Sequence, residues 1–384
     1  MNRKVCVVVT ARPSYSRIRT VLEAVNSHPD LELQLIVGAS ALLERYGSVI
    51  NAIRQDGFKI NRRIYTVVEG EGLTTMAKST GLGLIELATV FEDLKPDVVL
   101  TIADRYETIA TAIAASYMNI PVAHVQGGEI TGSIDEKVRH AVTKLSSIHF
   151  VSNELSRERV SKMGEYPNMV FVTGCPSIDI ANDVMKNHDE NFNPMEKYGG
   201  VGENIDLSKD YIVVLQHPVT TENDKAMEQI TQTLMAVHHV SMPTLWFWPN
   251  VDAGSDGTSK GIRIFREKYK NNKIHFFRNL LPEDFLRTLI NSKCIIGNSS
   301  VAIRECSFLG VPAVNIGTRQ NGRDRGTNVI DVNYDINEIK SAIQRQIKNV
   351  LRASEPVYGD GNAGQRIADL LATIKLTIHK QLTY

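Results

Sequence analysis

Residues 98–125 read VVLTIADRYETIATAIAASYMNIPVAHV, and this stretch decides the fold. A β-branched apolar run over 97–102 leads through a short turn into helical spacing over 106–117, then into a second apolar run at 122–125. Strand, helix and strand in that order form a βαβ unit, whose strands are parallel. Both runs are mostly apolar rather than alternating, so both faces of the sheet are expected to be covered. The same rhythm extends in each direction, with strands predicted at 5–10, 33–37, 148–151 and 169–173 and helices at 82–94, 136–146 and 155–163. It lapses over the polar residues 180–210 and restarts with strands predicted at 211–215, 244–248, 273–277, 294–296, 313–316 and 329–332. The pattern predicts an α/β protein of two Rossmann-like, doubly wound domains facing a central cleft. The expected bounds are 1–178 for the first domain, 179–210 for a connection and 211–362 for the second, nucleotide-binding domain. A last helical segment, predicted over 363–382, is expected to pack back on one of the domains.

Composition excludes several classes of function. The chain has 384 residues with 43 Lys+Arg against 43 Asp+Glu, so no global positive field draws in nucleic acid. Its four cysteines, Cys6, Cys175, Cys294 and Cys306, are far apart, which indicates neither a zinc site nor a disulfide scaffold. No apolar stretch reaches the roughly 18 residues of a membrane helix, and the N-terminal run reads as a strand rather than a secretory core. The expectation is a cytoplasmic protein with no metal, no cofactor and no membrane partner.

Candidate chemistry collects where predicted strands end, the usual binding edge of an open parallel sheet. Arg12 and Ser16 follow the first strand within ARPSYSR, beside the start of a helix, a position suited to an anion; a surface arginine is the plain alternative. Asp104 and Arg105 follow VVLTIA, either as functional groups or as an ion pair and helix cap. The segment HVQGGEITGSIDE then carries Gly127 and Gly128, which admit close approach of a ligand, followed by Glu129 and Asp135. Asp135 also suits a helix start by charge alone. His217 ends the strand in VVLQHPVTTE, and Asn250 in WFWPNVDAGS holds the equivalent place one strand later. In CIIGNSSVAIRECSFLG, residues 297–300 are expected to form a strand-to-helix turn facing a phosphate through Ser299 and Ser300. Glu305, one and a half turns into that helix, is placed for two ribose hydroxyls, and Arg319 offers a bidentate fork to phosphate. No Walker lysine and no dinucleotide glycine motif occur. The pattern points to a nucleoside diphosphate.

Taken together, RPSYS, ADRYE, GGEITGSIDEKVRHAVTKLS, LQHPVTTE, PNVDAGS, GNSSVAIRE, GTRQNGR and YGDGNA make the chain resemble the hydrolysing UDP-N-acetylglucosamine 2-epimerases, over about residues 3–370. The resemblance implies two Rossmann-like domains in a GT-B-like arrangement and conversion of UDP-N-acetylglucosamine and water to N-acetylmannosamine and UDP, in sialic acid-type biosynthesis. It further implies that Arg12, Ser16, Arg105, Asn250, Ser299, Ser300, Glu305 and Arg319 hold the nucleotide sugar, and that Asp104, Asp135 and His217 act in catalysis. A homodimer or homotetramer is implied in the same way. Among several departures from the family, the most serious is that a glutamate often assigned to proton abstraction is Gln126 here, and an amide is no base, which leaves Glu129 or Asp104 for that role. Related substrates and outcomes stay open, namely UDP- or GDP-N,N'-diacetylbacillosamine in a legionaminic acid route, and a non-hydrolysing 2-epimerase. A retaining glycosyltransferase or a silent nucleotide-sugar sensor is the alternative from another class.

Overall fold

The computed structural model describes residues 2–43, 49–69, 73–102, 105–130, 134–249, 254–270, 273–349 and 353–383. These form two compact units, one of Met1–Ile130, Ile134–Asp179 and Tyr358–Tyr384, the other of Ile180–Val357. Each is a Rossmann-like α/β unit.

The first unit runs β1 (Arg3–Val9), α1 (Arg12–Ser27), β2 (Leu31–Gly38), α2 (Val49–Gln55), β3 (Ile60–Ile64), α3 (Leu73–Leu94), β4 (Val98–Ile102), α4 (Thr108–Tyr117), β5 (Val122–Val125), α5 (Ile134–Leu145), β6 (Ile148–Val151), α6 (Glu154–Lys162) and β7 (Val170–Val172); α7 (Pro176–Lys186) starts in it and passes into the second unit at Ile180. Its seven strands, all parallel, lie in the order β3-β2-β1-β4-β5-β6-β7. All five residues of β4 are buried, as the unbroken apolar run requires. One face carries Val5, Val7, Leu35 and Leu100 against Ile18, Val21, Leu22 and Val25 of α1. The other carries Cys6, Val8, Ile36 and Val99 against Leu87, Val90 and Phe91 of α3. The chain order reverses between β1 and β4, so the loops after these two strands diverge to opposite faces and leave a binding edge between them.

The second unit contains α8 (Pro194–Tyr198), β8 (Val201–Gly202), β9 (Ile212–Leu215), α9 (Ala226–Val240), β10 (Thr244–Phe247), α10 (Ser255–Lys268), β11 (Ile274–Phe277), α11 (Pro282–Ile290), β12 (Ile295–Gly297), α12 (Glu305–Leu309), β13 (Ala313–Ile316), β14 (Val329–Val332) and α13 (Ile336–Gln346). The sheet order is β14-β13-β12-β9-β10-β11-β8, with only β8 antiparallel. Without β8 this is the first unit's winding again, and the reversal falls between β9 and β12. Trp246, Ile230, Leu234, Ile262 and Ile343 build the core on it.

Helix α14 (Ala363–Thr373) belongs to the first unit, where Ile367, Ala368 and Leu371 join the core under α1. The helix expected over 363–382 therefore ends early: Ile374 turns extended, and the residues after it run as an irregular strap. Lys380 on that strap donates to the main-chain carbonyls of Thr143 and Ser146 and pairs with buried Glu165. Burial alone would raise the Glu165 carboxyl, but hydrogen bonds from His149, Lys144 and Lys380 hold it down at about 2.

Candidate functional site

In the second unit the parallel pairs Ile295↔Val213, Ile296↔Val214 and Gly297↔Leu215 bring β9 and β12 to their carboxyl ends side by side. Gly297 has φ +135°, and a Cβ there would stand 2.0 Å from the Leu215 carbonyl, so glycine is required for the strands to stay this close. Immediately beyond, the His217 main-chain N–H donates to Asn298 Oδ1 at 2.7 Å, and Asn298 Nδ2 donates to the His217 carbonyl at 2.8 Å. The loop after β13 folds over this pair: Arg319 Nη1 and Gln320 Nε2 both donate to the Asn298 carbonyl, at 3.1 and 2.8 Å. Thr318 on the same loop donates to Glu222 Oε1 at 2.6 Å, and Gln229 donates to the other Glu222 oxygen at 2.6 Å. Burial first, then the Arg319 charge, hold the His217 imidazole well below the usual histidine range. His217 is therefore neutral at physiological pH and offers a lone pair or a neutral N–H, not an imidazolium acid. Orienting a water fits this state, whereas donating a proton as an imidazolium does not.

The segment after β12 differs from its expected form. It is a 3-10 turn of three residues, Ser300–Ala302, and Glu305 opens a separate short helix instead of lying within a longer one. A helix macrodipole thus contributes little here, and any anion affinity rests on hydroxyls and Arg319. Ser299 caps the turn by accepting from the Val301 N–H at 3.5 Å, while Ser300 accepts from Arg304 Nη2 at 3.2 Å. The Glu305 carboxylate is buried, with Arg304 Nε 3.9 Å from its Oε2.

In the first unit Arg12 opens α1 just past β1, and Ser16 Oγ donates to the Arg12 carbonyl at 3.2 Å. Past β4, the Arg105 Nε lies 3.0 Å from Glu107 Oε1, with its guanidinium 5.8 Å from the Tyr106 ring centre. Arg12 and Arg105 thus follow the two strands that flank this unit's reversal. Asp135 sits in the first turn of α5 beside Glu136, which pairs with His140 at 3.3 Å. Asp104 and Asn250 lie outside the described residues.

Glu129 is held otherwise than a free base would be. Its side chain is 1% exposed, Ser152 Oγ donates to Oε1 at 2.7 Å, and the Arg139 guanidinium stands 3.7 Å from Oε2. Arg139 is itself buried and also donates to the Gln126 carbonyl at 3.0 Å. Gln126 takes a left-handed φ of +64° and directs its Nε2 onto Cys175 Sγ at 2.8 Å. Gly128, expected to admit a ligand, instead admits α6: a Cβ there would stand 2.4 Å from the Ser156 carbonyl. Sequence reasoning missed Arg139, and it placed Asn298 only within the 297–300 turn. Arg139 left a signal, a cation beside Val138 and Val142 on the apolar stripe of α5, where a buried charge needs a partner. Asn298 left none.

The UDP-N-acetylglucosamine 2-epimerase family model matches residues 23–372. A UDP-N,N'-diacetylbacillosamine 2-epimerase (hydrolyzing) from Legionella pneumophila is 34% identical, across 100% of this chain and 98% of its own. A UDP-N-acetylglucosamine 2-epimerase from Neisseria meningitidis is 30% identical, across 90% of this chain and 87% of its own. In fold, the Methanocaldococcus jannaschii UDP-GlcNAc 2-epimerase solved with UDP-GlcNAc and UDP superposes with a TM-score of 0.79 at 19% identity, covering 96% of this chain and 99% of that one.

Proposed function

The chain belongs to the UDP-N-acetylglucosamine 2-epimerase family and is a nucleotide-sugar 2-epimerase; from that premise we propose that it is hydrolysing, taking a UDP-linked 2-acetamido sugar and water to UDP and the free 2-epimer. The observation that carries the proposal is the β9–β12 strand end, where a neutral His217 and a cationic Arg319 are fixed on one residue.

The chemistry follows from the substrate. The C2 proton has no neighbouring carbonyl and is not acidic, so the C1–O bond breaks first or together with proton loss. UDP leaves with the bonding electron pair, its charge met by Arg12 and Arg319, and a carboxylate takes the C2 proton as the C1–C2 double bond forms. Water then adds its oxygen to C1 of the resulting glycal, and a proton reaches C2 from the opposite face. Ser299, Ser300 and Glu305 hold the nucleotide in this reading, and Ser16, Arg105 and Asn250 the remainder of the substrate. Because Glu129 is committed to Arg139 and Ser152, the base falls to Asp104, with Asp135 as the acid and His217 orienting water.

UDP-N-acetylglucosamine, giving N-acetylmannosamine, is the first substrate. UDP-N,N'-diacetylbacillosamine is the second reading, favoured by the full-length match to the Legionella pneumophila enzyme. Comparing kcat/KM for the two, with product identified by mass, separates them: a preference of tenfold or more assigns the substrate. Turnover that returns a UDP-linked epimer without free UDP would overturn the hydrolysing reading.

A further inference from the structure

We propose that Asn298 is a positioning residue of the reaction, setting the place of His217 relative to Arg319; the proposal rests on the 2-epimerase reading above. Asn298 is fully buried, and both polar atoms of its side chain bond the His217 backbone, with the Tyr334 hydroxyl beside them. Its Oδ1 takes the His217 N–H at 2.7 Å and its Nδ2 reaches the His217 carbonyl at 2.8 Å. Only an amide supplies donor and acceptor together at this size; a carboxylate offers two acceptors and an alkyl group neither. The pairing continues the β9–β12 ladder past Gly297↔Leu215, by side chain instead of main chain. His217 is thereby fixed at a point where Pro218 follows and no strand partner continues.

The main chain of the same residue carries the other half of the site. The Asn298 carbonyl accepts from Arg319 Nη1 at 3.1 Å and from Gln320 Nε2 at 2.8 Å. One residue thus holds the imidazole-bearing strand end through its side chain and the guanidinium-bearing loop through its backbone. Side-chain replacement separates the two, because any residue at 298 keeps the carbonyl. A loss confined to catalysis with nucleotide binding kept is the mark of action through His217.

The test is Asn298→Ser, small enough to admit a water, with Asn298→Asp, which keeps the acceptor for the His217 N–H and loses the donor. UDP binding is titrated calorimetrically, and kcat is expressed per UDP-binding site. The expected result is a UDP Kd within threefold of the parent and a kcat at least tenfold lower for Asn298→Ser. A kcat per binding site within twofold of the parent would overturn the proposal. So would a fall in UDP affinity matching the fall in kcat, or failure of both variants to fold, since each makes Asn298 a fold or nucleotide residue. If the parent chain itself turns over no nucleotide sugar, it is the 2-epimerase reading that fails.

Discussion

His217 stands just past a strand end with its imidazole buried and its pKa held down, so in the proposed reaction it orients water and does not act through charge. Replacing it with Gln is expected to lower kcat by roughly 10²–10⁴-fold while UDP still binds, as measured by initial rates beside calorimetry. Glu129 is expected to behave otherwise. Glu129→Gln leaves Arg139 buried without its carboxylate, which costs about 3–5 kcal/mol of stability by denaturant unfolding. Catalysis per folded chain should survive in Glu129→Gln; its complete loss at unchanged stability would restore Glu129 as the base. At this scale the sequence showed which residues stand at strand ends, because strand ends follow from periodicity. It did not show which of them are consumed by neighbours: Ser152, Arg139 and Asn298 reach Glu129 and His217 only through the fold.

Elements show the same division. Strands β5, β6, β13 and β14 match their expected bounds because each is a short, mostly apolar run set between turn or helix residues. β3 was missed, since INRRI on the sheet edge is apolar only at its ends, and β8 is two residues long. Helix α3 begins at Leu73, well before the expected 82, as Gly81 and Gly83 break the sequence pattern without breaking the helix. The C-terminal strap was hidden for another reason: a helical period ran on past Thr373, while the Lys380 to Glu165 contact that straightens the chain is long-range. Lys380→Met is expected to cost about 1–3 kcal/mol, because Glu165 and two main-chain carbonyls each lose a donor. Thermal unfolding measures this, and a variant as stable as the parent would make the strap incidental.

For the molecule as a whole, buried histidines are expected to weaken the fold as pH falls. Burial, with the charges of His149, Arg139 and other cations behind it, holds His124 well below the ordinary range; burial outweighs Glu165 at His149, and burial and Arg319 do the same at His217. The unfolded chain therefore binds protons below about pH 6.5 that the folded chain refuses, so stability falls as pH drops. Each of these histidines contributes a slope of up to about 1.4 kcal/mol per pH unit there, and Glu165 adds its loss below about pH 4. Urea midpoints at pH 7.5 and 5.5 are expected to differ accordingly, with the lower value at pH 5.5; equal midpoints would contradict the buried, neutral assignment. Among the described residues no helix is long and apolar enough to cross a membrane. Elimination across C1–C2 followed by hydration, with release of UDP, is read by proton NMR of the protein with UDP-N-acetylglucosamine, and separately with UDP-N,N'-diacetylbacillosamine, in D2O. With one of the two, the expected product is a free 2-epimer carrying deuterium at C2, with one UDP per sugar; a free epimer that keeps its original C2 proton, or turnover without free UDP, rules this chemistry out.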